Sequence, residues 1–428
     1  MTNEILIRHS EAEHRGGDTS AALHTSCCVV GGGPAGVVLA LLLARSGVHV
    51  ALLEGHKDFD RDFRGDTIHP SVLEILDQIG LAERLHSLPH AKIYGPTLRT
   101  ADGPFQPFDF RQLRTKFPYI MMMPQSRFLN CLVEEAAKYP EFHLRMGANV
   151  QGLLEEEGRV TGVQYRDESG LHEVRALLTV GADGRFSRVR HLAAINPVKT
   201  SPSIDVLWFR LPHVAGELQV SSGLLGRFGH GHALVVFDRQ DYWQIAFVFR
   251  KGQYQQLRNA GIDAFRRTIA AIEPRFDPHL QHLTDWHQLA LLSVESSRCQ
   301  RWYKPGLLLI GDAAHVMSPV GGVGINYAIQ DAVAAANVLR EPLLVGSVGL
   351  RHLAEVQRLR EFPTRVIQRI QAFIQERLIL NVLRSDELLR IPPLVRLLLK
   401  APLVRDIPAR LLGFGINRPR VESNGAAG

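Results

Sequence analysis

Three glycines near the start of the chain have a spacing with a clear chemical meaning. Gly31, Gly33 and Gly36 fill the glycine positions of G-x-G-x-x-G, and Pro34 and Ala35 stand between the last two. In this pattern the first glycine makes the turn, the second lets main chain approach a pyrophosphate, and the third lets a helix pack closely on a strand. The spacing therefore predicts a phosphate-binding turn for a dinucleotide.

The elements predicted around this turn are those that such a site needs. Residues 27–30 form an apolar strand, residues 34–45 an apolar helix, and residues 48–53 a second strand. The N-terminus of the helix presents free N–H groups and a partial positive charge to the phosphates. Glu54 ends the second strand, at the place where an acidic residue accepts hydrogen bonds from ribose hydroxyls. The pattern does not choose between NAD and FAD.

Two further glycine-containing stretches also follow apolar strands. After the predicted strand at 307–310 the chain reads GDAAHVMSPVGGVGIN, which places the carboxylate of Asp312 at a strand tip and then much bare main chain. After the strand at 176–180 it reads GADGRFSRVR, which predicts a turn at Asp183 and a short helix capped by Ser187.

Two arginines near these stretches could contact an anion. Arg64 follows Glu54 and fits either a solvated surface charge or a phosphate contact. Arg127 lies in the first turn of a predicted helix whose cap is expected at Ser126. Because a cation in a first turn opposes the helix dipole, Arg127 indicates an anionic group nearby.

The three stretches, in this order, resemble the group A FAD-dependent aromatic hydroxylases, single-component flavoprotein monooxygenases with the fold of p-hydroxybenzoate hydroxylase. The resemblance covers Cys27 to about Leu339 and rests on GGGPAG with Glu54, GADGRFSRVR and GDAAHVMSPVGGVGIN. The family commonly has Gln between the last two glycines of the third motif, where this chain has Val323. The resemblance assigns the flavin contacts there to main chain, so binding is expected to survive this departure.

The resemblance implies where FAD lies. Asp312 accepts a hydrogen bond from a ribityl hydroxyl, residues 319–326 wrap the isoalloxazine, and a helix starting at about Tyr327 directs its positive end toward the N1–C2=O edge. His315 is expected to be structural and not a general base. The other cofactor-binding positions that the resemblance implies are Arg64, Arg127, Val150, Asp183, Pro319, Gly322, Gly324, Ile325 and Asn326.

The resemblance also implies the reaction. NAD(P)H reduces the flavin, O2 adds at C4a, and the hydroperoxide transfers one oxygen to an electron-rich aromatic small molecule. FAD and NAD(P)H are therefore the expected cofactors. Since the cofactor carries this chemistry, no catalytic acid or base and no metal are expected. NAD(P)H has no second glycine fingerprint in the chain and docks transiently in the family.

A second region is predicted to hold the substrate. Residues 205–213 and 232–252 are rich in β-branched and aromatic residues and predict an antiparallel sheet, to which hairpin strands from 92–123 are expected to cross. By the resemblance this sheet covers the flavin. The substrate candidates are the aromatic residues Trp208, Phe209, Phe228 and Trp243, each of which also fits ordinary sheet core, and His69, Met121 and Met123.

The predicted fold class is α/β, with a Rossmann-like FAD-binding domain, an antiparallel β-sheet substrate domain and a helical C-terminal segment. The expected parts are a flexible tail at 1–23, an FAD-binding domain at 24–91, 124–197 and 286–345, a substrate domain at 92–123 and 198–285, and the C-terminal segment at 346–428. That segment is basic and amphipathic, which fits helices packed on the FAD domain or, as the alternative, contact with a membrane surface.

Composition excludes several other classes. The 49 Lys and Arg exceed the 43 Asp and Glu by only six. The sequence has no dense basic run interleaved with aromatic residues, so it does not indicate nucleic-acid binding. No apolar stretch reaches the roughly 18 residues of a spanning helix, and residues 1–24 lack the apolar core of a secretory signal. Four cysteines, two of them adjacent in a predicted strand, fit a reducing cytoplasm.

Three alternatives share part of this pattern. A flavin-dependent halogenase shares the FAD domain, but its Trp-x-Trp-x-Ile-Pro motif is absent from the sequence. A flavin-dependent reductase of a polyprenyl or quinone-type substrate binds FAD and consumes no oxygen. A Rab-escort type protein carries the glycine fingerprint as a prenyl-binding chaperone without flavin, so flavin colour separates it from the others.

Overall fold

The structure is a computed structural model that describes most of the chain. The described residues are 22–60, 66–200, 202–213, 223–229, 231–239, 241–384 and 389–422. Two of the predictions concern residues that lie, partly or wholly, outside these ranges. Most of the expected tail at 1–23 lies outside the described residues, and so does Arg64, the candidate phosphate contact.

The described elements alternate between strands and helices over the first half of the chain. The strands are β1 (Leu23–Val30), β2 (Val50–Glu54), β3 (Thr67–Ile68), β4 (Ala91–Ile93), β5 (Gly95–Thr100), β6 (Gly103–Phe105), β7 (Ile120–Met122), β8 (Phe142–Met146), β9 (Asn149–Glu156), β10 (Arg159–Asp167), β11 (Gly170–Gly181), β12 (Pro197–Thr200), β13 (Ile204–Pro212), β14 (Gly223–Gly229), β15 (His232–Asp238), β16 (Tyr242–Arg250), β17 (Ala290–Ser293), β18 (Ser296–Cys299), β19 (Tyr303–Lys304), β20 (Leu307–Leu309) and β21 (His315–Val316).

The helices are α1 (Pro34–Arg45), α2 (Pro70–Gln78), α3 (Ala82–His86), α4 (Gln125–Ala136), α5 (Arg188–Leu192), α6 (Tyr254–Ala260), α7 (Ile262–Ile272), α8 (Gly324–Leu344), α9 (Leu350–Phe373), α10 (Leu380–Leu383), α11 (Pro393–Lys400) and α12 (Pro402–Phe414). Short 3₁₀ turns occupy Phe110–Gln112, Pro274–His282, Trp286–Gln288, Gly311–Ala313 and Val320–Gly322, and a π-helical stretch occupies Ile374–Ile379.

The first sheet is mainly parallel and has the order β19-β20-β11-β1-β2-β8. Strands β20, β11, β1, β2 and β8 run parallel, β19 is antiparallel at the edge, and β9 and β10 extend β11 as an antiparallel pair. In the middle of this sheet, β2, β20 and the second half of β1 are continuous buried apolar runs, because helices cover both faces of such a sheet. The main hydrophobic core lies here, where α1 packs against α4 and α8.

The predicted strand–turn–helix–strand unit is present. Helix α1 spans the predicted residues, whereas β1 begins four residues before the prediction at residue 27, and β2 begins two residues after the prediction at residue 48. These shifts move no residue of the glycine turn.

The second sheet has the order β17-β13-β16-β15-β14-β5-β6. The hairpin β5–β6 comes from 92–123 and joins this sheet, as predicted. The sheet differs from the prediction in two ways. It is mixed and not purely antiparallel, because β5 joins β14 in parallel. Strand β17, which the prediction assigned to the FAD-binding domain, pairs with β13 at the edge of this sheet.

Alternation along the strands gives the second sheet two buried faces. One face carries Leu207, Phe209 and Phe247 and packs on α7 through Phe265. The other face carries Val206, Ala246 and Val248 and packs on Leu380 and Leu383 of α10.

The C-terminal segment is helical, as predicted, and it contacts more than the FAD-binding part. Helix α9 packs on α8, α10 packs on the second sheet, and α12 packs on α2. Among the described helices, none combines the length and hydropathy needed to cross a membrane. Within the described ranges, no cluster of three or more His, Cys, Asp or Glu side chains could hold a metal ion.

Candidate functional site

Two of the three glycines in the first turn are required by the chain's own packing. Gly31 has φ +105°, and a Cβ there would lie 2.5 Å from the carbonyl oxygen of Ala182. A Cβ on Gly36 would lie 1.9 Å from the carbonyl oxygen of Gly31, so only glycine lets α1 approach the turn. These contacts match the roles that the motif predicts for its first and third glycines.

Gly33 is different, because nothing in the described chain requires a glycine there. It is the N-cap of α1 with φ −75°, which any residue adopts, and an added Cβ would meet no atom within 4 Å. The space beside it lies at the start of α1, where the first N–H groups have no intrahelical partner. This turn is therefore an open cradle for an anionic group.

The carboxylate of Glu54 stabilises the glycine turn through hydrogen bonds. Its Oε2 accepts a hydrogen bond from the N–H of Gly32 at 2.7 Å, and its Oε1 accepts one from the N–H of His56 at 2.9 Å. Its carbonyl oxygen accepts from the N–H of Ala148 at 2.8 Å, which brings the buried Val150 of β9 to the same end of the sheet. The ribose contact of Glu54 and the cofactor contact of Val150 stay predictions.

Asp183 shapes the neighbouring turn. Its Oδ1 accepts from the hydroxyl of Ser187 at 2.5 Å, and its Oδ2 accepts from the N–H of Val189 at 2.9 Å. Ser187 caps α5, as predicted, by accepting from the N–H of Arg190. Burial raises the pKa of Asp183. The carboxylate thus serves the turn beside Gly31, and its contact with a pyrophosphate stays a prediction.

Asp312 lies in the turn after β20 and has no such internal role. Gly311 before it has φ +58° and is wedged between Ala35 and Ala328. Burial raises the pKa of Asp312, an effect that His315 and Arg185 partly offset. Within the described residues, no protein group donates a hydrogen bond to its carboxylate. Because the side chain is only half-buried, a hydroxyl from outside the chain can reach this carboxylate.

The glycine-rich loop after Pro319 leads directly into α8. Gly321 and Gly322 have φ +81° and +63°, and the helix begins at Gly324. The predicted start at about Tyr327 is thus three residues late, because the left-handed turn at the two glycines already aligns the chain for the helix. Gly324, Ile325 and Asn326 are therefore its first turn, where N–H groups lack intrahelical partners.

The side chain of Val323 lies away from any open surface. It is 1% exposed and packs with Met317, Tyr327 and Ile367. The position where the resembling family commonly has Gln is therefore a core position in this chain.

His69 and Asn326 tie this loop to α2 and α12. The Oδ1 of Asn326 accepts from the N–H of His69 at 2.8 Å, and its Nδ2 donates to the carbonyl of Gly322 at 3.3 Å. The Nδ1 of His69 lies 2.8 Å from the carbonyl oxygen of Leu412, to which it donates. Burial lowers the pKa of His69 to about 4, so its ring is neutral at neutral pH. His69 positions the loop here, and its substrate contact stays a prediction.

The structure separates the other substrate candidates. Met121 and Met123 are fully buried in the main core. Phe209 and Trp243 belong to the sheet face that packs on α7. Trp208 and Phe228 lie on the opposite face and are partly exposed, and the buried indole N–H of Trp208 has no hydrogen-bond partner among the described residues. Trp208 and Phe228 stay candidates for substrate contact.

Arg127 departs from its predicted local setting. The N-cap of α4 is Pro124, not Ser126, because the chain turns into the helix at Gln125 without a side-chain cap. Arg127 donates from Nη1 to the carbonyl oxygen of Pro89 at 2.6 Å. Its contact with the cofactor stays a prediction.

A buried ionic network behind the Asp312 turn was not predicted from the sequence. The Oδ2 of Asp331 accepts from the N–H of Gly311 at 3.0 Å and from Nε2 of His315 at 2.6 Å, and its Oδ1 accepts from Nε of Arg360 at 2.8 Å. The three side chains are at most 1% exposed. Burial alone would raise the pKa of Asp331, but His315 and Arg360 hold it below its usual value. His315 is structural here, as predicted.

The sequence did contain a signal for this network. Asp331 is a lone acidic residue in the alanine-rich first half of α8, and a buried carboxylate requires a charged or hydrogen-bonding partner. The partner, Arg360, is one of many arginines in the C-terminal segment, so its identity follows only from the fold.

Comparison with known proteins places these features in context. The family described as FAD binding domain matches residues 24–369. A 6-methylpretetramide 4-monooxygenase from Streptomyces rimosus is 35% identical over 403 residues, which cover 94% of this chain and 95% of that protein. A 12-dehydrotetracycline 5-monooxygenase/anhydrotetracycline 6-monooxygenase from Streptomyces rimosus subsp. rimosus is 28% identical over 316 residues, 71% of this chain and 60% of that protein.

Among solved structures, the flavin-dependent brominase Bmp2 superimposes with a TM-score of 0.76 at 16% identity, covering 91% of this chain and 94% of that chain. At this identity the likeness concerns the fold alone.

Proposed function

The chain belongs to the FAD binding domain family, and from that premise we propose that it is an FAD-dependent monooxygenase that uses NAD(P)H and O2 to hydroxylate a polycyclic aromatic small molecule. The oxygenase assignment is supported by the S. rimosus relative, which is named a monooxygenase and is matched over nearly its whole length. The polycyclic substrate class is supported by the names of the two S. rimosus relatives.

The residues around the two turns fit FAD. The observation that carries this assignment is the pairing of the open cradle at Gly33 with the carboxylate of Asp312, which has no donor within the described chain. The start of α1 would hold the pyrophosphate, Asp312 would accept from the ribityl chain, and the first turn of α8 would face the ring. When bound, FAD supplies the redox and oxygen chemistry.

The protein's own part is to bind, orient and exclude water. The N-terminus of α8 would place a partial positive charge beside the ring and so stabilise negative charge on it. The small sheet of β3, β7 and β4 is joined to the second sheet by a buried ion pair between Asp66, which precedes β3, and Arg239, which follows β15; its oxygen and nitrogen lie 3.0 Å apart. No acid or base is assigned, since His69 is neutral and His315 is engaged by Asp331.

We further propose a cytoplasmic enzyme with no nucleic-acid partner. In the part of the chain that the structure describes, all four cysteines are free and buried, which suits a reducing compartment. We assign α10 and α12 to protein packing and not to a membrane surface, because α10 contacts the second sheet and α12 contacts α2.

Replacing Asp312 with Ala is expected to weaken FAD binding about tenfold to a hundredfold. The change removes hydrogen bonding to a charged acceptor, worth about 1.5–3 kcal/mol in total. Titration of FAD-free protein with FAD, followed by flavin fluorescence, measures the loss. Unchanged affinity would remove Asp312 from the cofactor site.

The isosteric change Asp312→Asn is expected to stabilise the FAD-free protein at neutral pH. The pKa of Asp312 is raised in the folded state, so folding binds protons and stability falls as pH rises from about 3.8 through the raised pKa. The variant lacks this group, so its advantage in melting temperature should grow over the acidic range and then level off. An advantage that shrinks as pH rises would contradict a raised pKa of Asp312 in the folded protein.

The reaction is tested by measuring NAD(P)H oxidation and oxygen uptake together. Tetracyclic polyphenols, salicylates and simple phenols are compared, and the polycyclic compounds are expected to stimulate both rates equally and to gain one oxygen atom. A compound that stimulates NAD(P)H oxidation but yields only peroxide would be an effector and not a substrate. Reduction of the compound without oxygen uptake would support the reductase alternative. If the purified protein does not bind FAD on reconstitution, both the monooxygenase and the reductase are excluded.

A further inference from the structure

Helix α12 contacts the glycine-rich loop with one side and lines two surface cavities with another. Toward the glycine-rich loop it presents Leu412, whose side chain would be 2.7 Å from a Cβ on Gly321 and whose carbonyl oxygen takes the hydrogen bond from His69. On another side, Arg410 and Phe414 line two adjoining cavities of about 660 Å³ each. This volume lies within the usual range of small-molecule pockets. We call the two cavities together the α12 groove.

The α12 groove is strongly cationic. Arg114 and Arg410 line both cavities, and Arg418 and Arg420 line the second. Within the described residues neither Arg114 nor Arg410 forms an ion pair, whereas Arg418 pairs with Glu74 at 2.5 Å. Among the described residues that line the groove, Asp406 is the one acidic residue. The groove therefore carries an excess of positive charge that its own walls do not neutralise.

The floor of the groove is apolar and aromatic. The ring of Phe414 lies under the guanidinium of Arg418, 4.3 Å from the ring centroid, and Ile407 is 55% exposed. A flat aromatic ligand can pack against the exposed Ile407 and the outer face of the Arg418 guanidinium, and place an anionic substituent among the guanidinium groups, which bind planar anions well. A small inorganic anion would leave the apolar floor unused.

We propose that the α12 groove is a second binding site of this protein, specific for planar polycyclic aromatic anions such as phenolates and enolates. The identity of this ligand rests on the proposed function, because it is the substrate class assigned above. Helix α12 both contacts the glycine-rich loop and lines the groove, so the groove collects the acidic aromatic molecule next to the site where it reacts.

The test uses the FAD-loaded full chain and two soluble probes of the same shape. Anthraquinone-2-sulfonate is an anion, and 2-(hydroxymethyl)anthraquinone is neutral. Equilibrium dialysis gives both affinities, and the flavin absorption spectrum reports separately any probe that enters the flavin cavity. The groove variant is Arg114→Glu/Arg410→Glu, and the matched control is Arg258→Glu/Arg267→Glu, which makes the same change in net charge on α6 and α7.

The groove variant is expected to bind the anionic probe about tenfold more weakly, because two attractions become repulsions. The control should stay within about twofold, and binding of the neutral probe should change little in either variant. Added salt should weaken binding of the anion to the unaltered protein, since the contacts are exposed. An equal loss in the control, or no loss in the groove variant, overturns the proposal.

Two measurements keep the outcome interpretable. Melting temperature and FAD content show whether each variant is folded and loaded, and the milder pair Arg114→Gln/Arg410→Gln replaces any variant that is not. Unchanged FAD content with lost anion binding supports the groove. Failure of the proposed function would appear as absent FAD or absent oxygen uptake, whereas failure of the groove would appear only in the dialysis.

Discussion

Replacing Gly33 with Val is expected to give a folded protein that purifies with little or no FAD. The Cβ of the added side chain would meet no protein atom within 4 Å, because it lies in open space at the start of α1. It would occupy the space assigned to the pyrophosphate and block the free N–H groups of the helix. We expect FAD affinity to fall by more than about a hundredfold, which is more than about 3 kcal/mol.

Stability of the FAD-free protein should be unchanged or slightly higher in this variant. The backbone of Gly33 is extended, with φ −75°, so Val fits it and also restricts the unfolded chain. Flavin absorbance of the purified protein and urea unfolding of the FAD-free form measure the two effects. If the variant purifies with full flavin occupancy, the pyrophosphate does not lie at this turn.

Gly36→Val is the matched control for this experiment. Its Cβ would lie 1.9 Å from the carbonyl oxygen of Gly31, so the helix must move away from the strand. We expect a loss of about 1–3 kcal/mol or more in the free energy of unfolding. Gly33→Val should therefore lose FAD while keeping its stability, whereas Gly36→Val should lose stability.

Replacing Arg360 with Met is expected to lower the free energy of unfolding by about 3–5 kcal/mol. The guanidinium is 1% exposed and donates to Asp331 at 2.8 Å and to Gln330 at 3.1 Å. Its removal leaves the carboxylate of Asp331 buried with only Gly311 and His315 as donors. Urea unfolding of the FAD-free protein measures the loss without a contribution from FAD binding.

Arg365→Met is the control for the ionic network, because Arg365 lies on the same helix and is exposed. Its effect should stay within about 0.5 kcal/mol. A loss in Arg360→Met that does not exceed this control would mean that the network contributes nothing to stability. Since the network also holds the N–H of Gly311, Arg360→Met should weaken FAD binding in addition.

The sequence predicted the parts of the site that depend on local backbone geometry. The glycine turn, the span of α1 and the Ser187 cap all follow from residues within a few positions of one another. The family assignment and FAD as cofactor were confirmed, because ordered motifs of this kind specify a fold and its ligand together. The individual cofactor and substrate contacts stay predictions.

What the sequence did not predict depends on residues that are distant along the chain. Asp331 and Arg360 are 29 positions apart and meet only because α9 packs on α8. The parallel pairing of β5 with β14 joins segments more than a hundred residues apart, and the sequences of those strands do not encode the direction of pairing. The start of α8 was placed three residues late because the φ values of Gly321 and Gly322 are not written in their type.

The contact of Leu412 with the glycine-rich loop also bears on the point during synthesis at which the chain can bind FAD. The loop is supported on its outer side only after residues 402–414 have left the ribosome, although the glycine turn emerges more than three hundred residues earlier. We therefore expect nascent chains to remain colourless until translation has passed α12, and a shortage of FAD in the cell to act on the released protein.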